Sequence, residues 1–285
     1  MTRKSLLHFA LVGLLWGIPY LLIKIAVEDF PPAAVVAGRT LIGASILIPI
    51  SVYRKSFKGA VLGFRYVAFY ALMEMIGPWI FITTAEQKIN SGLAGLLVST
   101  VPIFATIITS LRGDHSVWSF KRIFGIVIGF IGLILVVGIE SLLGNSDPLS
   151  IALVIVASMS YAYAVIMVTS NLPLVDGIAI NGLAMAITCV FWAPVAIAQW
   201  PSSISLKSTS ALLALGIFST AIAFILFFKV ISEIGPARGS LVTYLNTAIA
   251  VVLGVIILRE PLTTGIVLGL PLVLIGSYLA SRKTS

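Results

Sequence analysis

Residues 125–129 read Gly-Ile-Val-Ile-Gly, and residues 265–269 read Gly-Ile-Val-Leu-Gly, 140 residues further along the chain. Trp16-Gly17 falls on Tyr161-Ala162 at a similar offset of 145 residues. Apolar segments with GxxxG spacing could produce part of this similarity by chance. The colinear matches nevertheless predict that the chain contains two related halves.

The composition places these halves in a membrane. Only 10% of the 285 residues are charged and 59% are apolar, whereas about a quarter of the residues of a soluble domain are charged. A helix that crosses the roughly 30 Å hydrocarbon core needs about 20 mostly apolar residues. The apolar runs are Leu6–Ile25, Ala33–Tyr53, Ala60–Ile82, Gly92–Leu111, Ile123–Ile139, Ile151–Thr169, Ile178–Gln199, Leu212–Val230, Ser240–Leu258 and Gly265–Ala280. Since a β-barrel would show alternating segments of about ten residues, we expect an all-α integral membrane protein with ten transmembrane helices.

Charge predicts how the halves are oriented. Five runs fall in residues 1–140 and five in residues 150–285, and a linker covers residues 141–149. If the amino terminus is cytoplasmic, thirteen Lys and Arg residues lie on the inner side and four on the outer side, as the positive-inside rule requires. We therefore expect two cytoplasmic termini, an extracytoplasmic linker and a multi-pass protein of the inner (plasma) membrane. The same bias explains the net charge of +8 without a nucleic-acid partner.

The odd number of helices per half has a mechanical consequence. Two copies of a five-helix unit enter the bilayer in opposite orientations. Inverted repeats of this kind usually enclose a substrate site near the bilayer midplane, which opens to each side in turn. The sequence thus predicts a central cavity and alternating access.

Several motifs resemble the EamA-type branch of the drug/metabolite transporter superfamily over nearly the whole chain. They are Trp16-Gly17, Arg39 within Ala37-Gly38-Arg39-Thr40-Leu41, Ser91-Gly92-Leu93-Ala94, Pro102, Tyr244-Leu245 and Leu258-Arg259-Glu260-Pro261-Leu262. The resemblance implies a ten-helix fold around a cavity and the export of amino acids or other metabolites, as in the similar aromatic amino-acid exporters of the YddG type. The chain departs from the pattern at Asn246-Thr247, where members usually carry a proline. A relative's substrate therefore does not carry over directly.

Arg39 and Glu74 are the two charged residues that cannot reach an interface in the predicted topology. Ionisable groups inside a membrane are costly and often functional. At 1.5 Å per residue the two lie roughly 9 and 12 Å from the outer ends of their helices. Three interpretations stay open: an ion pair that only fixes packing, a Glu74 that binds a substrate ammonium or a coupling proton, and an Arg39 that snorkels outward.

Other side chains at mid-depth are candidates for the cavity wall, because ligand pockets are mostly apolar and aromatic with few polar groups. The substrate-binding candidates are Trp16, Tyr20, Glu74, Pro78, Trp79, Ser99, Tyr161, Tyr244 and Asn246. The candidates for a structural or coupling role are Arg39, Glu74 and Pro102. A proline within a helix removes a backbone donor, so Pro102 suits either a hinge or static packing.

The sequence lacks the patterns typical of catalysis. It has no His or Cys pair at metal-ligand spacing and no glycine loop for phosphate, so we expect neither a metal nor a cofactor and no enzymatic activity. A solute or ion gradient would then drive transport of a small molecule, with protons as the candidate coupling ion. We expect a monomer in the lipid bilayer. The alternatives are an uptake carrier, a passive channel and a membrane-embedded enzyme.

Overall fold

The computed structural model describes residues 3–113, 120–142, 147–234, 239 and 242–281. Over these residues the chain is helical and contains no strand, which confirms the all-α prediction. The helices are α1 (Arg3–Gly17), α2 (Pro19–Ala26), α3 (Pro32–Tyr53), α4 (Phe57–Leu62), α5 (Phe64–Ala71), α6 (Gly77–Ala85), α7 (Ser91–Val98), α8 (Val101–Leu111), α9 (Phe120–Leu142), α10 (Pro148–Asn171), α11 (Gly177–Ala198), α12 (Leu206–Ala214), α13 (Ala223–Ile234), α14 (Val242–Ile257) and α15 (Thr264–Ser281). Two π-helical segments, Leu72–Ile76 and Leu215–Ile222, join α5 to α6 and α12 to α13.

Among the described residues, seven helical stretches are long and apolar enough to cross a membrane. They are Arg3–Ala26, Pro32–Tyr53, Phe64–Ala85, Ser91–Leu111, Pro148–Asn171, Gly177–Ala198 and Leu206–Ile234. Three shorter apolar stretches, Ile123–Leu135, Val242–Ile257 and Thr264–Gly276, fall where the remaining spans are expected. The count of ten spans stays a prediction. Residues 143–146 of the predicted linker and both chain ends lie outside the described residues.

Glycines set the closest helix contacts. Gly276 of α15 faces α9, and a Cβ added to it would lie 2.5 Å from both Gly125 O and Gly129 Cα. In the same way, a Cβ on Gly17 of α1 would lie 3.0 Å from Asn246 O of α14. Lipid tails are as apolar as leucine, so helices in a membrane associate largely through such close approach. The second contact brings the polar Asn246 beside the end of α1.

The helices that surround the centre of the bundle are interrupted. The first span changes direction at Pro19, which opens α2, and Ser99-Thr100 separates α7 from α8 just before Pro102. The two π segments interrupt two further spans. Such π segments occur often at functional sites, because the wider turn shifts the register of the side chains that follow.

Candidate functional site

A central cavity of about 120 Å³ lies among interrupted and continuous helices of the bundle. Its wall combines aromatic, aliphatic and polar side chains from both halves of the chain. The lining residues are Trp16, Pro19, Tyr20, Ile23, Arg39, Glu74, Trp79, Ile82, Tyr161, Ser219, Phe224 and Asn246. Because ligand pockets usually measure about 300–1,000 Å³, only a small solute fits in this conformation.

Arg39 supplies a buried cation to the cavity. Its side chain comes from α3, the residue is 6% exposed, and its guanidinium lies 3.7 Å from the centre of the Trp79 ring. Nη2 and Nε donate to Thr220 Oγ1 over 3.1 and 3.3 Å. The guanidinium therefore neither snorkels outward nor forms an ion pair with any carboxylate in the described part of the chain.

Glu74 supplies an acidic side chain. It lies in the first π segment and lines the same cavity as Arg39. Its buried Oε2 accepts no hydrogen bond from any described residue, and no described cation pairs with the carboxylate. An unpartnered acid is expensive to bury. Glu74 is thus available to a positively charged group that enters the cavity.

Aromatic rings close two sides of the cavity. Trp16 of α1 stacks edge-to-face on Phe224 of α13, with ring centres 5.6 Å apart, and lies 4.5 Å from Phe227. Trp79 lies beneath the Arg39 guanidinium on the other side. Rings in offset or edge-to-face contact resist displacement, so these walls present fixed apolar surfaces to a solute.

The structure brings together seven of the predicted site residues and leaves four outside the lining. The lining set is Trp16, Tyr20, Arg39, Glu74, Trp79, Tyr161 and Asn246. Pro78 is buried within α6, and Pro102 lies in the first turn of α8. The Ser99 hydroxyl donates to Leu96 O over 2.6 Å, and Tyr244 contacts the Tyr278 ring. A substrate-binding role for any of these residues stays a prediction.

Ser219 and Phe224 line the cavity but were missing from the sequence prediction. The offset of 145 residues that relates Trp16 to Tyr161 also relates Glu74 to Ser219 and Trp79 to Phe224. All six residues line the same cavity. Applying the repeat offset to each first-half candidate would therefore have identified these two positions. Three other lining residues, Pro19, Ile23 and Ile82, were also missing from the sequence prediction.

The family comparison matches the chain twice. The model of the EamA-like transporter family matches residues 3–138 and again residues 148–282. The two matches start 145 residues apart, which is the offset that relates the paired cavity residues.

Curated relatives match over almost their full length. The uncharacterized transporter YoaV of Bacillus subtilis is 26% identical over 97% of this chain and 96% of its own length. The uncharacterized inner membrane transporter YedA of Escherichia coli is 28% identical over 95% of this chain and 90% of its own. A crystal structure with a TM-score of 0.69 and 17% identity covers 98% of this chain and 97% of that one, and it shows that the fold is shared. The chain is therefore a multi-pass inner-membrane protein that belongs to the EamA-like transporter family.

Proposed function

We propose that this chain exports small zwitterionic solutes, amino acids above all, by alternating access and without chemical conversion. The observation that carries the function is the pair of opposite charges in one cavity, Arg39 and Glu74, neither of which has a charged partner among the described residues. An amino acid carries a carboxylate and an ammonium, so it satisfies both groups at once. Its side chain would lie against Trp16 and Phe224.

Arg39 is positioned to bind the solute carboxylate. Stacking on Trp79 and two hydrogen bonds to Thr220 hold the guanidinium plane. Its other N–H donors have no acceptor among the residues that the structure describes and could bind a carboxylate. Charged hydrogen bonds contribute about 1.5–3 kcal/mol each. The carboxylate of Glu74 would bind the ammonium group of the same solute.

Pairs of equivalent residues support an inverted repeat around the cavity. Three such pairs line it at a common offset of 145 residues. The π segments also correspond, since Leu72–Ile76 shifted by 145 residues falls within Leu215–Ile222. A central site between two such halves is the geometry that alternating access uses. In this arrangement ten spans place both termini in the cytoplasm, as the distribution of Lys and Arg predicts.

The π segments are the proposed hinges. Both lie in spans that carry a cavity residue, Glu74 in one and Ser219 in the other. A π segment has weaker and more easily rearranged hydrogen bonds than an α-helix. Rotation at these segments would move the two polar residues together as the cavity opens on one side and closes on the other. Outward transport itself is inferred from the family resemblance.

Counterflow in proteoliposomes tests the function. Purified protein is reconstituted with a panel of unlabelled amino acids inside, and entry of labelled solute is followed with and without a pH gradient. We expect saturable counterflow of at least one small amino acid. Absence of counterflow for every amino acid in the panel would refute the substrate class, and accumulation of solute against its gradient in intact cells would favour the uptake carrier over export.

Comparing matched solutes tests the roles of Glu74 and Arg39 separately. The preferred amino acid is compared with the acid that lacks its ammonium and the amine that lacks its carboxylate. Replacing Glu74 with Gln should weaken binding of the amino acid by about 10- to 150-fold, the range for one charged hydrogen bond. Binding of the acid that lacks the ammonium should not change. Arg39→Gln should show the reverse pattern. The control is Glu28→Gln, which neutralises an exposed carboxylate that pairs with Lys207.

A further inference from the structure

A second cavity lies one helical turn beyond the first. Lys24 follows Tyr20 by four residues on α2, and Glu86 follows Ile82 by four residues at the end of α6. Residues four apart on a helix share a face, and Tyr20 and Ile82 line the central cavity. The second cavity, called the end cavity here, measures about 410 Å³. It is lined by Lys24, Val27, Glu28, Glu86, Gln87, Asn90, Leu258 and Glu260.

Most charges of the end cavity already have partners. Lys24 Nζ donates to the backbone carbonyls of Glu86 and Ile89 over 2.6 and 2.8 Å. Glu28 pairs with Lys207 at 2.7 Å. Glu260 accepts hydrogen bonds from the amide groups that begin α7. These three residues are occupied by contacts within the protein.

Glu86 is the exception. Its side chain is fully buried, and neither carboxylate oxygen accepts a hydrogen bond from any residue that the structure describes. A buried carboxylate without a donor is among the costliest groups in a protein. It lines a cavity whose walls carry three carboxylates and one ammonium, so the cavity favours a cation over an anion.

We propose that Glu86 binds the primary ammonium group of a solute in the end cavity, as a second station beside the central site. The role of the end cavity as a second station on a transport route rests on the proposed function, whereas the ammonium site itself does not. The end cavity's volume lies within the range of ligand pockets, so it accepts an amine with a larger substituent than the central cavity does.

The surroundings of Glu86 predict that ammonium replaces a proton. Burial raises the pKa of its carboxyl well above the usual range, and Glu260 raises it further, whereas Lys24 and Arg39 oppose the rise. Among the described residues, Glu28 in the same cavity and Tyr20 are the other charged or titratable groups near it. The raised pKa favours the protonated form of the empty carboxyl. A bound ammonium favours the ionised form, so binding is expected to release protons.

Binding of phenethylamine tests the site. Its affinity for the purified full chain in lipid nanodiscs is measured by calorimetry at pH 7, in two buffers that differ in ionisation enthalpy. We expect saturable binding with release of protons, and no binding of phenethyl alcohol, which replaces the ammonium with a hydroxyl. Glu86→Gln should weaken binding at least tenfold, whereas Glu28→Gln, in the same cavity, should change it by less than about threefold.

Central-site variants separate this inference from the proposed function. Glu74→Gln should leave phenethylamine affinity unchanged even where it abolishes counterflow, because the central cavity of about 120 Å³ is too small for the phenethyl group. Loss of binding in Glu74→Gln but not in Glu86→Gln would overturn the second station and leave the central site standing. Wild-type affinity in Glu86→Gln, or binding without proton release in the wild type, would equally overturn it. Proton release is measured on the wild-type protein, so the inference can still be refuted if Glu86→Gln does not fold.

Discussion

Replacing Glu260 with Gln should destabilise the chain by about 2 kcal/mol. Glu260 follows α14, in the second half, and its carboxylate binds the N-terminus of α7, in the first. Ser91 N and Ser91 Oγ each donate to it over 2.8 Å, and Gly92 N donates over 3.3 Å. The first amide groups of a helix have no partner within the helix and carry a partial positive charge. The contact therefore joins the two halves through a charged cap.

The magnitude follows from what Gln removes. Hydrogen bonds to a charged acceptor contribute about 1.5–3 kcal/mol, against about 0.5–1.5 kcal/mol for neutral ones, so the two short bonds lose about 2 kcal/mol between them. The helix dipole adds roughly 0.5 kcal/mol. Glu260 is partly exposed, and solvent screening reduces the total to about 2 kcal/mol. The Gln amide nitrogen, itself a donor, would also face one backbone N–H, either that of Ser91 or that of Gly92.

The free energy of unfolding is measured by reversible denaturation with SDS in mixed micelles. Glu28→Gln is the matched control, since it removes the same charge from the same cavity. Its partner Lys207 is exposed, and exposed pairs contribute about 0.2–1 kcal/mol. Ser91→Ala should reduce the effect of Glu260→Gln in the double variant, because one of the bonds is already lost. If Glu260→Gln and Glu28→Gln lower the free energy of unfolding equally, the stabilising role of Glu260 as a helix cap is refuted.

Three further outcomes follow from contacts elsewhere. Gly276→Ala should cost about 1–3 kcal/mol in the same SDS assay, since the added Cβ lies 2.5 Å from Gly129 Cα and the two helices must separate. Trp192→Phe should cost about 1–2 kcal/mol, because the indole N–H donates to Ile76 O at the end of the first π segment over 3.0 Å; an unchanged midpoint would show that the bond does not matter. Hydrogen bonds from Ser205, the N-cap residue of α12, lower the pKa of Asp29 below its usual value of 3.8. The contribution of Asp29 to folding stability is therefore present above pH 3.8 and is lost as the pH falls through the lower pKa of the folded state. Asp29→Asn should therefore show a smaller loss of thermal stability than the wild type between about pH 5 and pH 3.

Hydropathy predicted the positions of the helices better than their ends. The run Ile123–Ile139 lies inside α9, which begins at Phe120 and continues to Leu142. The run Leu212–Val230 likewise lies inside a longer helical stretch, which begins at Leu206 after the Ser205 cap. An apolar run reports only the part of a helix that is adapted to lipid. The polar turns at each end form because capping and backbone hydrogen bonds do not depend on hydropathy.

The rotational position of a charge was harder to predict than its depth. The predicted depths of Arg39 and Glu74, roughly 9 and 12 Å from the outer ends of their helices, are similar, and both residues line one cavity. Depth could not show that Arg39 binds Thr220, which is 181 residues away in sequence. Glu74 and Thr220 both lie in π segments. A projection at 3.6 residues per turn cannot place side chains there, because each π turn shifts the register.

The proposed repeat explains the shape of the central cavity, but the two ionisable side chains of the cavity, Arg39 and Glu74, both lie in the first half. At the offset of 145 residues Trp16 and Trp79 correspond to Tyr161 and Phe224, which are also aromatic. Glu74 instead corresponds to Ser219, and Arg39 to Ala184. Both ionisable side chains therefore come from the first half, while the second half contributes the ring of Phe224, the uncharged polar side chains of Tyr161, Ser219 and Asn246, and the Thr220 hydroxyl that holds Arg39. A symmetric site would place like charges opposite each other, at a high cost inside a membrane. Because only one half carries the charges, one cation and one anion share a cavity between two similar walls, and that arrangement matches a zwitterion.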